Sequence, residues 1–287
     1  MRCKKGNSMS RTKKPGSVVG IASLAFLTFY GLLSFYPLLF TLFSSFKTDQ
    51  EIFAHPFGLP ASISFDNYIR AWTVSQLPRY FLNSVVLSVS TCVVLVFLGS
   101  TAAYALNKFQ FRFKNTLYLY FLAGLTIPAQ STIIPIAYDV GKLGIRDSLV
   151  LVVLIISAFQ LPLTLLIFSG FMSSIPAELE EAAIIDGCNT FNVYTRIILP
   201  LSSPAIITVT ILNFLVAWNN ILFPLVFLNS DSVKPISIGL LGFFASRQSD
   251  YSGMMAAIVM TCLVPALVYI FAQEKVEQGL TAGAVKG

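Results

Sequence analysis

Six stretches of this chain contain no Asp, Glu, Lys or Arg: residues 18–46, 80–107, 115–138, 148–177, 197–230 and 251–273. The shortest is 23 residues long. A helix needs roughly 20 mostly apolar residues to cross a bilayer, and apolar runs of about 10–14 are more typical of buried soluble helices. A spanning β-barrel would instead show short segments of alternating polarity. The pattern therefore predicts an all-α membrane protein of six transmembrane helices. Composition agrees: 55% of the 287 residues are hydrophobic and 11% charged, about half the charged share of an ordinary soluble domain.

The basic residues set an orientation. Arg2, Lys4, Lys5, Arg11, Lys13 and Lys14 precede the first stretch, and Lys108, Arg112 and Lys114 fall in the next loop on the same side without an acid. Placing both termini in the cytoplasm puts 12 of the 19 basic residues inside, as the positive-inside rule requires. The same placement makes the net charge of +6 an anchor on anionic lipid rather than a nucleic-acid surface. Residues 1–17 are expected to be a disordered basic segment. The first stretch reads as an uncleaved span, because its apolar core is long and Ser44-Ser45-Phe46-Lys47 offers no A-x-A site. Outside, residues 47–79, 139–147 and 231–250 are balanced in charge.

Several chemistries find no support. Cys3, Cys92, Cys188 and Cys262 form no CxxC pair, and His55 is the only histidine, so neither a disulfide framework nor a metal site is predicted. No phosphate-cradling G-x-x-x-x-G-K-[ST] occurs, so the chain is not itself an ATPase. No GxSxG or HExxH is present, which makes an intramembrane enzyme the weakest class. An ion-coupled secondary transporter is the second class to weigh. It usually keeps ionisable groups inside its spans, and here there are none, although backbone carbonyls can also ligate ions.

One predicted cytoplasmic loop breaks the charge pattern. Residues 173–196 hold Glu178, Glu180, Glu181 and Asp186 against Arg196 alone. Beside an anionic membrane, a protein partner explains such a loop better than lipid. Pro176 to Gly187 reads as a short helix: Pro176 suits the first turn, the glutamates favour its N-terminal end, and Gly187 can stop it in the left-handed conformation. Leu179, Ala182, Ala183 and Ile185 give it an apolar side. So short a helix is marginal alone and needs a surface to dock on.

Glu181-Ala182-Ala183, then Gly187, then Ile197-Ile198-Leu199-Pro200 resembles in order and spacing the EAA loop of permeases of ATP-binding-cassette (ABC) importers. Asn67-Tyr68, Phe81-Leu82-Asn83-Ser84, Trp218-Asn219-Asn220 with Phe223-Pro224-Leu225, and the tail Gly279–Gly287 are similar to carbohydrate permeases of the maltose-transporter type, in particular the shorter six-span subunit. The resemblance implies the type I importer permease fold. It divides the chain into the basic segment 1–17, a first span 18–46, a core 80–273 of five spans with the EAA loop at 173–200, and a cytoplasmic tail 274–287. It also implies that residues 176–187 form a coupling helix seated in an ATPase cleft, with Glu178, Glu181, Ala182, Ala183, Asp186, Gly187, Ile197, Leu199 and Pro200 in the coupling region. The implied partners are a second permease, two copies of an ABC ATPase that bind ATP and magnesium, and an extracytoplasmic binding protein delivering a sugar, all at a bacterial or archaeal cytoplasmic membrane. No cofactor is expected on this chain. A permease for a non-sugar solute remains the alternative within the family.

Polar or aromatic residues inside the apolar stretches are candidates for the translocation pathway. Asn213 lies 13 residues beyond Pro200, near mid-membrane at about 1.5 Å per residue. Trp218 and Asn219 lie nearer the outer interface, where Trp218 could equally serve an aromatic belt. Gln130, Gln160 and Asn83 could line the route or bond between helices.

Overall fold

The computed structural model describes residues 18–73, 76–245 and 250–284. Among them every regular element is helical. In chain order these are α1 (Val18–Ser44), α2 (Asp49–Ala54), α3 (Asp66–Thr73), α4 (Leu77–Lys108), α5 (Lys114–Ala123), α6 (Ile133–Lys142), α7 (Leu149–Met172), α8 (Glu178–Ile185), α9 (Thr190–Val193), α10 (Leu199–Leu201), α11 (Ser203–Trp218), α12 (Leu222–Phe227), α13 (Ile236–Ala245) and α14 (Tyr251–Ala284). Two 3₁₀ turns lie between α5 and α6, and a π-helical turn, Tyr194–Ile198, joins α9 to α10. The basic segment 1–17 and the last residues of the tail, 285–287, lie outside the described residues.

Four helices are long and apolar enough to cross a membrane by themselves: α1 from Gly20, α4, α7, and α14 as far as Phe271. The other two apolar stretches are broken. Lys114–Thr126 and Ala129–Lys142 meet at 92°, and Thr190–Leu201 and Ser203–Trp218 at 72°. Proline explains the first break: Ile127 and Pro128 are extended (ψ 112° and 127°), because a residue before proline is driven out of the helical region. At the second, Ser202 (ψ 10°) is flanked by Pro200 and Pro204. Pro37, Pro162 and Pro265, by contrast, sit inside continuous helices. The stretch 197–230 is thus the end of the π-helical turn, α10, α11, a turn and the short α12, not one helix.

The bundle centres on α4, which packs most extensively on α7 and then on α11; α11 in turn packs on α14. Gly99 allows a close α4–α7 approach, since a Cβ there would collide with Thr164 Cγ2. Small residues at helix interfaces are how apolar helices approach in a solvent as apolar as their own side chains. The span hydroxyls of Thr91 and Thr208 bond back to the preceding turn, to the Leu87 carbonyl (2.7 Å) and the Pro204 carbonyl (2.9 Å), which satisfies them without water. Along α1 the large apolar side chains, among them Phe26, Phe29 and Leu32, are exposed, as expected of a surface bathed in lipid. At about 1.5 Å per residue the 32 residues of α4 span roughly 48 Å and separate two polar ends. One carries α8 to α10, the other α2, α3 and the loops around Asp147 and Asp231.

Candidate functional site

The acidic loop folds as a single short helix with a built terminus. α8 begins just after Pro176 and puts Glu178, Glu180 and Glu181 in its first turn. Gly187 has φ +85°. The Cys188 amide donates to the Ala183 carbonyl (2.9 Å) and the Gly187 amide to that of Ile184 (3.0 Å). This paired closure satisfies carbonyls that a helix end would leave open.

Only Glu180 and Ala183 of α8 are buried. Ala183 joins a cluster with Tyr104 and Leu106 of α4, Phe168 and Met172 of α7, and Val193 and Ile198. Glu178, Glu181, Ala182, Asp186 and Gly187 are exposed, together with Leu179, Ile184 and Ile185. The apolar side read from the sequence therefore splits. Ala183 packs inward, whereas Leu179, Ala182 and Ile185 point away from the chain's own core. Beyond Gly187, Asn189 caps α9 by accepting from the Asn192 amide (2.8 Å). Ile198 is fully buried, Ile197 and Leu199 are half-buried, and Pro200 is exposed before the 72° bend.

The loop is held to α4 by contacts that sequence reading did not find. The Lys108 ammonium closes on the Glu180 carboxylate in a largely buried ion pair. The Tyr194 hydroxyl meets those of Ser100 (2.7 Å) and Thr101 (3.3 Å), and its ring lies 5.1 Å from that of Tyr104. Nothing in the sequence separates Glu180 from its two glutamate neighbours; only the direction in which α8 docks does.

The pathway residues fall in different places. Asn213 is buried and its amide donates to the Thr164 hydroxyl (3.0 Å), joining α11 to α7. Trp218 is buried between Phe214 and Phe81 (ring centroids 5.6 and 5.5 Å). Asn83 donates to the carbonyls of Ser232 and Lys234 (3.0 Å each) and pins the loop before α13. Asn219 is exposed and bonds back to Leu215 (2.9 Å). Gln130 is exposed beside the 92° break. Gln160, at the middle of α7, lines a cleft of about 290 Å³ with Leu125, Phe159, Asn220 and Phe223. A second groove of about 460 Å³ between α4 and α11 is almost wholly apolar.

At the far end, Asp147 accepts the Ser230 amide (2.9 Å) and hydroxyl (2.7 Å) and the Asn229 amide. Those hydrogen bonds, first the one from the Ser230 amide, hold its carboxyl below the usual range. Arg70 pairs with Asp250 (2.8 Å) and reaches Ser252 (2.9 Å), tying α3 to the start of α14. Among the described residues no group of His, Cys, Asp and Glu could hold a metal ion.

A helical bundle with a structured, outward-facing acidic loop at one end agrees with a match of residues 95–282 to the family model of the binding-protein-dependent transport system inner membrane component. The chain belongs to this family of ABC importer permeases. The diacetylchitobiose uptake system permease NgcG of Streptomyces coelicolor is 35% identical, covering 92% of this chain and 88% of NgcG. The multiple sugar-binding transport system permease MsmG of Streptococcus mutans is 34% identical over 91% of this chain and 95% of its own. A chain of a bacterial ABC transporter that imports the acidic polysaccharide alginate has the same fold, with a TM-score of 0.79 at 22% identity over 91% of this chain and 98% of that one. As a member of this family the chain is a multi-pass membrane component of a transport system and carries no catalytic site of its own.

Proposed function

We propose that this chain is one half of the membrane pathway of an ATP-driven importer that takes up a carbohydrate, of the oligosaccharide class. The exposure of Glu181, Ala182, Ile184 and Ile185 on α8 carries the reading. A helix that buries two of its eight residues in its own chain and presents glutamates beside isoleucines has its other face left for a protein. In this reading each broken pair counts as one span, giving six, and both termini and α8 lie in the cytoplasm. An ATPase subunit receives α8, a second permease covers the open side of the bundle, and an extracytoplasmic binding protein delivers sugar at the Asp147 end. The uptake of diacetylchitobiose and of multiple sugars by systems containing NgcG and MsmG supports a sugar as cargo.

Affinity purification of the tagged chain, coexpressed with its genomic neighbours, tests the assembly. A second permease and an ATPase should co-elute. Uptake of a radiolabelled neutral oligosaccharide should be competed by sugars and not by amino acids or peptides. Recovery of the chain alone, still competent for uptake, would overturn the reading.

A further inference from the structure

Movement of α8 has two routes into the spans. One runs along the chain through the π-helical turn and α10 into α11. It crosses the 72° bend at Ser202, between two prolines. Proline supplies no amide to carry a helical hydrogen bond across the corner, so the bonded ladder that would stiffen this route is interrupted there. The other route crosses space to α4. Ser100, Tyr104 and Lys108 are spaced by four residues and so lie along one stripe of that helix. Together they touch the loop on both sides of Gly187: Lys108 holds Glu180 before it, and Ser100 and Tyr104 hold Tyr194 after it. α4 is unbroken over its 32 residues, and it packs more extensively on α7 and α11 than on any other helix.

We infer that α4 is the element that receives the motion of α8, and that the Lys108–Glu180 ion pair is the strut through which it does so. Glu180 and Lys108 are positioning residues here, not contacts to nucleotide or sugar. A rigid link is needed because the other buried residue of α8, Ala183, offers only a methyl group, which gives little resistance to sliding. A buried pair resists displacement, since parting it strands a charge away from water. The Tyr194 hydroxyl and ring then stop the C-terminal half of the loop from swinging freely on the Ser202 bend.

This inference rests on the importer reading, and the experiment separates the two. The complete complex is purified with Glu180→Gln, Lys108→Met, or the exchange Lys108→Glu with Glu180→Lys. Complex recovery, ATP hydrolysis and uptake are measured with a neutral oligosaccharide that the wild-type complex accumulates. Each single variant should assemble and hydrolyse ATP, yet move on the order of fivefold less sugar per ATP or lower. The exchange should restore much of that ratio, which a role confined to stability would not produce. Wild-type ratios in both single variants, or an assembled exchange variant no better than they are, would overturn the inference. If the single variants fail to assemble, Tyr194→Phe, which removes one hydroxyl from the same grip, must lower the ratio; an unchanged ratio there overturns the inference as well. Failure of the importer reading would show in the wild type itself, as uptake without ATP.

Discussion

Replacement of Gly187 perturbs one backbone angle and little else. At φ +85° a Cβ would meet nothing within 4 Å, so crowding contributes nothing and the cost is conformational. An L-residue other than glycine pays roughly 1–2 kcal/mol for the left-handed region, and a β-branched one more. Relaxing to a negative φ instead would break the closure at Ala183 and Ile184, two hydrogen bonds of about 0.5–1.5 kcal/mol each. Either way the loss is small against the total stability of a folded chain, yet 1–2 kcal/mol redistributes a local equilibrium by a factor of about 5–30. The expected result is normal insertion and assembly with binding-protein-stimulated ATP hydrolysis and uptake falling in the order Gly, Asn, Ala, Val, since asparagine tolerates the left-handed region best of the three replacements. Hydrogen exchange at the Cys188 amide should speed up in the same order. Valine transporting as well as glycine, or asparagine no better than valine, would refute the reasoning.

Glu181→Lys should leave stability within about 0.5 kcal/mol, because the side chain is exposed; ATPase recovery with the purified chain should nonetheless drop, and an undiminished yield would remove Glu181 from the docking face. Asn213→Ala should cost about 0.6 kcal/mol, with about 1.7 as a ceiling, from loss of the bond to Thr164; thermal unfolding should register it while sugar selectivity stays unchanged, and altered selectivity would show that Asn213 faces the pathway as well. Asp147 has its carboxyl lowered by the Ser230 and Asn229 bonds, so the tie it makes is fully present above its ordinary value of 3.8 and is lost as pH falls through the lower folded value. Exchange at the Asn229 and Ser230 amides should therefore accelerate only in strong acid in the wild type, and already at neutral pH in Asp147→Asn.

The apolar stretches were legible because the bilayer imposes length and excludes charge, and each reappears as a long helix or a bent pair. The breaks were only half legible. Proline marks every candidate, but Pro37, Pro162 and Pro265 leave their helices continuous while Pro128, Pro200 and Pro204 stand at corners. Neighbouring helices can re-satisfy the carbonyls that a proline frees, and a linear sequence does not show where they do. Gly187 was legible as a helix stop because one residue type answers one backbone need. Glu180 was not, since three glutamates in a four-residue window become distinct only when α8 docks against Lys108. Asn213 and Trp218 show the same limit: a polar or aromatic residue within a span can face a route or a neighbour, and a linear sequence does not show that Asn213 bonds Thr164 or that Trp218 lies between Phe81 and Phe214.

The energy source of uptake is the most direct test of an ATP-driven importer. The purified complex reconstituted in proteoliposomes, with the binding protein and a labelled oligosaccharide on one side and ATP with magnesium on the other, should accumulate sugar only while ATP is present. Collapse of the proton and sodium gradients should leave that uptake unchanged. Accumulation driven by either gradient with no ATP in the system would contradict it.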